Sequence, residues 1–163
     1  MSAQNELVIS ATSPDHAFGY LGNVILYNWR RNTTSEGARA LSDLTSAVRA
    51  GGNQRILAFG AVEAGAPMPP VAVRDEISKV MAQSWAGVIV ASALSFEGTG
   101  FQASAVRGVA TGLALIARSP FPHKVFGSAS EAATWLVARA SDTGTPAPSL
   151  PALIDAMKKL RAG

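Results

Sequence analysis

The stretch GVIVASA, residues 87–93, carries the strongest fold signal in the chain. It is nearly continuous in small and branched apolar residues and lacks the polar–apolar alternation of a half-exposed strand. Such a run is typical of a central strand that is buried on both faces of a parallel sheet. Because parallel strands are joined by crossover connections, usually helices, the stretch predicts an α/β fold.

Segments with strand character and segments with helical periodicity alternate on both sides of this stretch. Their order is β, β, α, β, α, β, α, β, α, followed by one further helix. This order predicts a central, mostly parallel or mixed sheet of about five strands with four helices. The turn-rich stretch 13–22 is expected to be the long connection of a hairpin between the first two strands. The predicted strands are 6–11, 23–29, 55–62, 87–93 and 124–127, and the predicted helices begin near Thr33, Val71, Phe101, Ser128 and Leu150.

Helix boundaries are indicated by local capping signals. Thr33 followed three residues later by Glu36 fits a capping box, and Ser128 with Glu131 repeats the pattern. In a capping box each side chain satisfies a free backbone N–H at the helix N-terminus. Gly51-Gly52 is expected to end the first helix.

The chain is expected to hold one α/β domain, residues 1–140, followed by an appended helix. Residues 141–149 are rich in Thr, Gly and Pro and are predicted to be a linker. Residues 150–163 are predicted to form an amphipathic helix whose apolar stripe includes Leu153 and Met157. This stripe is expected to be buried on the core or against a second subunit.

Composition excludes several classes of protein. Of the 163 residues, 48% are hydrophobic and 15% are charged, which argues against disorder. The absence of cysteine excludes disulfides, thiolate metal sites and cysteine nucleophiles. The net charge is +3, but the basic residues are scattered, so no nucleic-acid partner is expected.

No apolar run reaches the ~20 residues of a membrane span. The N-terminus is polar and has no signal-peptide core. Together these absences predict a cytoplasmic protein.

Three stretches resemble the STAS domain (sulfate-transporter and anti-sigma-factor-antagonist) and its SpoIIAA-like relatives. The first is residues 23–36, an apolar strand that runs into a helix start. The second is VIVASALSFEGTGFQASAVRG, residues 88–108, which has the rhythm of a STAS strand, loop and helix. The third is VFGSASEAATWL, residues 125–136, which resembles the closing strand and helix of SpoIIAA-like proteins. The resemblance covers roughly residues 23–139 and implies a STAS/SpoIIAA-like fold.

The resemblance also implies a non-enzymatic regulatory or protein-interaction domain, of a type used in bacterial signalling. Family members of the antagonist class are switched by phosphorylation of a Ser in an Asp-Ser-Ser/Thr-Gly loop. The nearest counterpart here is Glu97-Gly98-Thr99-Gly100. Gly98 occupies the acceptor place and cannot carry phosphate, whereas Thr99 occupies the next position. This loop also follows the fourth predicted strand, whereas the switch loop of the family follows the third.

The same loop is a candidate binding site on physical grounds. Gly98 and Gly100 expose backbone N–H groups, Thr99 can cap the following helix, and a helix N-terminus attracts anions. Arg107 lies about two turns further along. An ordinary glycine turn with a threonine cap is the alternative interpretation.

Three groups of residues follow predicted strands: Arg30 and Arg31, Glu63 with the MPP segment 68–70, and residues 97–101. Ligands of open parallel sheets bind at the carboxyl ends of strands. The alternative to a regulatory interaction domain is therefore a sensor for a small molecule or anion, with its site at these strand ends. The expected partners are another protein or a second copy of the chain, and in the alternative a small anionic ligand.

No residue pattern predicts catalysis, a cofactor or a metal. His16 and His123 are the only histidines, they form no HxxxH or HExxH pair, and both are expected in exposed loops. No GxSxG nucleophile elbow is present. Trp29, Trp85 and Trp135 are interpreted as packing residues of the core or its rim.

Overall fold

The computed structural model describes residues 6–97, 108 and 121–163. Within them the protein is an α/β structure with a six-stranded mixed sheet and four helices. The predicted α/β class is therefore confirmed, with six strands where about five were expected.

The strands are β1 Val8–Thr12, β2 His16–Leu21, β3 Val24–Trp29, β4 Ile56–Val62, β5 Ile89–Phe96 and β6 His123–Phe126. The helices are α1 Ser35–Ala50, α2 Val71–Lys79 with a π-helical continuation Val80–Ser84, α3 Ala129–Asp142 and α4 Leu150–Ala162. The helix predicted at 101–118 lies outside the described residues.

The strands lie in the sheet in the order in which they occur in the chain. β1, β2 and β3 form an antiparallel meander, and β3, β4, β5 and β6 are parallel neighbours. Helix α1 connects β3 to β4, and α2 connects β4 to β5. Both pack on the same face of the sheet, as successive crossovers of one hand require.

The predicted long connection between the first two strands is wrong, because residues 16–21 form strand β2. Its Ala17, Phe18 and Leu21 are buried, so HAFGYL behaves as a core strand despite its glycine. Gly19 reads as a turn signal in the sequence, but it serves close packing: a β-carbon there would lie 2.3 Å from the carbonyl oxygen of Val8. The turn itself is confined to Gly22 and Asn23.

The sheet separates two apolar cores. On one face, Phe18 and Ile25 pack with α1, with the α2 region and with Trp85. On the other face, Leu26 and Phe59 pack against α3 and α4. Strand β5 contributes to both cores, as predicted for a central strand buried on both faces. It also extends to Phe96, so residues 94–96 belong to the sheet and not to the predicted loop.

The first capping prediction is displaced by one residue, whereas the second is confirmed. Thr34, not Thr33, caps α1, and its hydroxyl accepts a hydrogen bond from the backbone N–H of Gly37 at 3.0 Å. Residues 33–35 all carry hydroxyl groups, and the three-residue spacing to Glu36 favoured Thr33, whereas the helix begins one residue later than that spacing implies. Ser128 caps α3 as expected.

Helix α4 packs on the sheet of its own chain. Leu153 and Met157 are buried in the core with α3 and strands β2 to β4, and Ile154 is partly buried beside them. The connection that precedes α4 is held by Arg55, whose side chain donates to the Thr145 hydroxyl at 3.1 Å and to the Thr143 carbonyl at 3.0 Å. Among the described residues, no helix is long and apolar enough to cross a bilayer.

Candidate functional site

The structure locates three of the seven residues predicted for the site. Glu97 follows the last residue of β5 and is exposed, Arg30 follows β3 and is partly buried, and Arg31 is exposed. The predicted Gly98, Thr99, Gly100 and Arg107 lie outside the described residues.

Glu97 belongs to a charged cluster at the carboxyl ends of β4 and β5. Arg161 of α4 forms a bidentate pair with Glu63, with Nε–Oε1 and Nη2–Oε2 distances of 2.8 Å each. Arg161 also reaches Glu97 at 3.4 Å, and Glu97 accepts from the backbone N–H of Ala129 at the start of α3. The hydrogen bonds from Arg161 hold the pKa of Glu63 below its usual value. The cluster therefore fastens α4 to two strand ends.

Arg30 fastens the same helix from the neighbouring strand. Its guanidinium donates to the carbonyl oxygens of Ser13, Leu160 and Gly163. Thus the structure brings Arg30 and Glu97 to the same end of α4, where Arg30 binds backbone carbonyl oxygens and Glu97 binds Arg161. The backbone N–H of Arg31 donates to Asp15, and its side chain is not part of this cluster.

A small apolar cavity lies on the opposite face of the sheet, between the sheet and the α1 and α2 helices. Its volume is about 90 Å³. It is close to the carboxyl ends of the strands, because Trp29 and Val62 are the last residues of β3 and β4. Thr33, Pro67 and Pro69 line it from the two connections that follow these strands. The remaining described lining residues are Tyr27, Leu41, Ile77, Val80, Met81, Trp85, Leu94 and His123.

His123 is the main polar group of this cavity. Its Nδ1 is 3.0 Å from the hydroxyl oxygen of Ser92, the residue beside it on β5. Its Nε2 is buried and has no hydrogen-bond partner among the described residues. Burial lowers the pKa of His123 to about 4, so the imidazole is neutral at physiological pH. An unpaired buried nitrogen costs free energy that a bound molecule can recover.

Tyr27 crosses one strand to reach the same region. Its neighbour on β4 is Gly60, where a β-carbon would lie 2.2 Å from the Tyr27 ring atoms Cε2 and Cζ. The glycine therefore leaves room for the ring to lie over β4 towards β5. Burial raises the pKa of Tyr27 to about 12, an effect that the nearby Ser92 hydroxyl opposes. The phenol is uncharged at physiological pH.

The arrangement of Ser92 and His123 suits binding better than nucleophilic attack. The described residues place no carboxylate beside the His123 ring to orient it as a base. A search of the described residues finds no group of three metal-ligating His, Asp or Glu side chains.

Both histidines contradict the prediction that they lie in exposed loops. His16 opens β2, is buried, and stacks on Phe18 at a centroid distance of 4.4 Å. His123 opens β6 with a buried Nε2. The two sequence positions are flanked by loop residues such as Pro122 and Asp15, which explains the error. Trp29 and Trp85 are core residues as predicted.

The cavity was missed in the sequence because its residues come from strands and connections that are far apart in the chain. Tyr27, Ser92 and His123 are brought together by the register of β3, β4, β5 and β6. A polar residue at position 92, within the otherwise apolar predicted strand 87–93, is the local hint of a buried partner. Comparisons of the chain with known protein families, characterised proteins and solved structures find no match.

Proposed function

We propose that this protein is a non-enzymatic domain that binds a small, predominantly apolar molecule in the cavity and acts as a sensor of that molecule. The observation that carries the proposal is an apolar cavity beside a buried histidine nitrogen that has no partner among the described residues. Ligand sites of proteins are typically apolar pockets with a few placed polar groups.

The position of the cavity supports this proposal. In open α/β sheets, ligands bind outside the carboxyl ends of the strands, where the loops that follow the strands converge. The cavity is lined by the last residues of β3 and β4 and by the connections that follow them. This agrees with the sensor interpretation of the sequence. Pro69 belongs to the MPP segment predicted at a strand end, whereas the other lining residues were not among the predicted ones.

The regulatory role implied by the STAS resemblance stays a prediction, and the sensor proposal gives it a mechanism. Helix α2 continues as a π-helical segment whose Val80 and Met81 line the cavity. π-Helical turns within α-helices often occur at functional sites. A ligand that packs against this segment would stabilise one arrangement of α2, which a partner protein could then recognise.

Thermal unfolding and heteronuclear NMR with small uncharged aromatic compounds test the proposal. We expect benzene-sized molecules to raise the melting temperature and to shift the resonances of Trp85, Leu94 and His123. Val62→Phe should fill part of the cavity and weaken binding. Val8→Phe is the matched control, because Val8 is exposed on the edge strand β1 and does not line the cavity.

Two results would contradict the proposal. One is the absence of any resonance shift at the cavity residues across the whole panel of compounds. The other is binding that Val62→Phe and Val8→Phe alter equally, which would locate the compounds elsewhere on the protein.

A further inference from the structure

We infer that His123 sets the chemical class of the ligand: an uncharged molecule with an apolar body and one hydrogen-bonding group, such as a phenol or an aryl carbonyl compound, that pairs with Nε2. This inference rests on the proposed function and adds the chemistry that the cavity selects.

The polar groups available to a ligand are few. Trp85 lines the cavity, but its indole N–H already donates to the Thr45 hydroxyl at 2.9 Å. Besides Trp85 and His123, three described lining residues carry a polar side-chain group: Thr33 and Tyr27 a hydroxyl, and Trp29 an indole N–H. His123 differs from these groups, because its Nε2 is buried and has no partner among the described residues.

A charged ligand does not suit this cavity. The described lining contains no Lys, Arg, Asp or Glu side chain that could neutralise a carboxylate or an ammonium group. Burying an unpaired ion costs far more free energy than burying a hydrogen-bonded neutral group. A neutral His123 can donate a hydrogen bond to a carboxylate but cannot neutralise its charge, and burial opposes protonation of the ring. The selection therefore favours neutral molecules.

The bond between Ser92 and His123 allows Nε2 to act in either direction. When the Ser92 hydroxyl donates to Nδ1, the neutral ring carries its proton on Nε2, which then donates to a ligand carbonyl. When Nδ1 donates to Ser92, Nε2 is bare and accepts from a ligand hydroxyl.

Matched pairs of compounds test the inference. Phenol is compared with toluene, and benzaldehyde with styrene, because each pair has similar shape and differs in one polar group. Binding is measured by NMR titration of wild-type protein, of His123→Phe and of His123→Gln. For each pair we compare the ratio of the affinity for the polar compound to the affinity for the hydrocarbon. We expect this ratio to be roughly two- to tenfold higher in wild-type protein than in His123→Phe. His123→Gln, which keeps a hydrogen-bonding side chain, should retain part of this gain, and benzoate should not bind.

The outcomes separate this inference from the proposed function. If the polar preference is the same in wild-type protein and His123→Phe, the inference is wrong and the cavity proposal stands. If no compound binds to wild-type protein, the cavity proposal itself fails. Should His123→Phe not fold, the ¹⁵N shift of His123 Nε2 in wild-type protein decides: phenol or benzaldehyde must move it and toluene must not.

Discussion

Arg161 and Glu63 form the best-defined ion pair among the described residues, joined by two N–O contacts of 2.8 Å between the last turn of α4 and the end of β4. Their side chains are 27% and 30% exposed. Lys159 and Asp155, on the same helix, form a pair with side chains 68% and 60% exposed. The two pairs differ in burial and geometry, which allows a direct comparison of their contributions.

Arg161→Gln is expected to lower the free energy of unfolding by about 1–2 kcal/mol, because it removes a bidentate pair and leaves Glu63 partly buried. Lys159→Gln is the matched control and should cost less than about 0.5 kcal/mol, since exposed pairs contribute little. Chemical denaturation of both variants checks this. Equal effects would mean that the Glu63 pair does not fasten α4.

Gly60→Ala is expected to destabilise the protein by roughly 1–3 kcal/mol, because the added methyl group overlaps the Tyr27 ring. In a Tyr27→Leu background the cost should fall, since the overlapping ring is gone. Gly65→Ala is the control: nothing lies within 4 Å of its added β-carbon, so its effect should be close to neutral. A double-mutant cycle measured by thermal unfolding gives the coupling. Additive effects of Gly60→Ala and Tyr27→Leu would contradict the contact.

Acid should destabilise the protein through its two histidines. Burial lowers the pKa of His123 to about 4 and also lowers that of His16. Below the unfolded-state pKa of about 6.5, the unfolded chain therefore binds more protons than the native protein. The stability contributed by the neutral rings is fully present above that pH and is lost as pH falls towards 4. For His123 the loss is at most roughly 3 kcal/mol.

NMR titration of the imidazole resonances checks the pH dependence, together with unfolding curves between pH 7 and pH 4. His123 should titrate near 4 and His16 below 6.5. A midpoint near 6.5 for His123 would show that its ring is in contact with solvent, and would weaken the case for a neutral hydrogen-bonding group in the cavity.

Leu153→Ala is expected to cost about 2–5 kcal/mol, because this side chain is fully buried between α4 and the sheet. Leu150→Ala on the same helix is the matched control and should cost clearly less, because Leu150 is only partly buried. Calorimetric melting of the two variants provides the comparison. Similar losses would indicate that α4 is not docked through its buried stripe.

The fold class could be predicted because a strand that is buried on both faces of a sheet needs apolar residues on both of its sides, which is visible in its sequence. Ala91 and Ala93 face one core and Leu94 the other, so apolar side chains of β5 are buried on both faces of the sheet. Strand β2 was missed because glycine has two uses that look alike in a sequence, a turn and a close approach of backbones. Gly19 serves the second use, which depends on the position of Val8 in the neighbouring strand.

The cavity could not be predicted, for a related reason. Whether Tyr27 lies near Ser92 depends on the alignment of three strands and on the missing side chain of Gly60 between them. Neither the alignment of the strands nor the position of Gly60 beside Tyr27 can be predicted from the spacing of residues along the chain. By contrast, the position of Glu97 after a strand was readable, although its contact with Arg161 requires a helix from the far part of the chain.

The sequential order of the strands has a consequence for how the chain reaches its native state. Because each strand pairs with its neighbours along the chain, the sheet can grow strand by strand during synthesis. Helix α4 is the exception, since it returns across the whole sheet to pack on β2 and β3. Until it docks, one face of those strands lacks its cover. We expect this intermediate to be the species most prone to aggregation, so the rate at which α4 docks should govern the yield of folded protein.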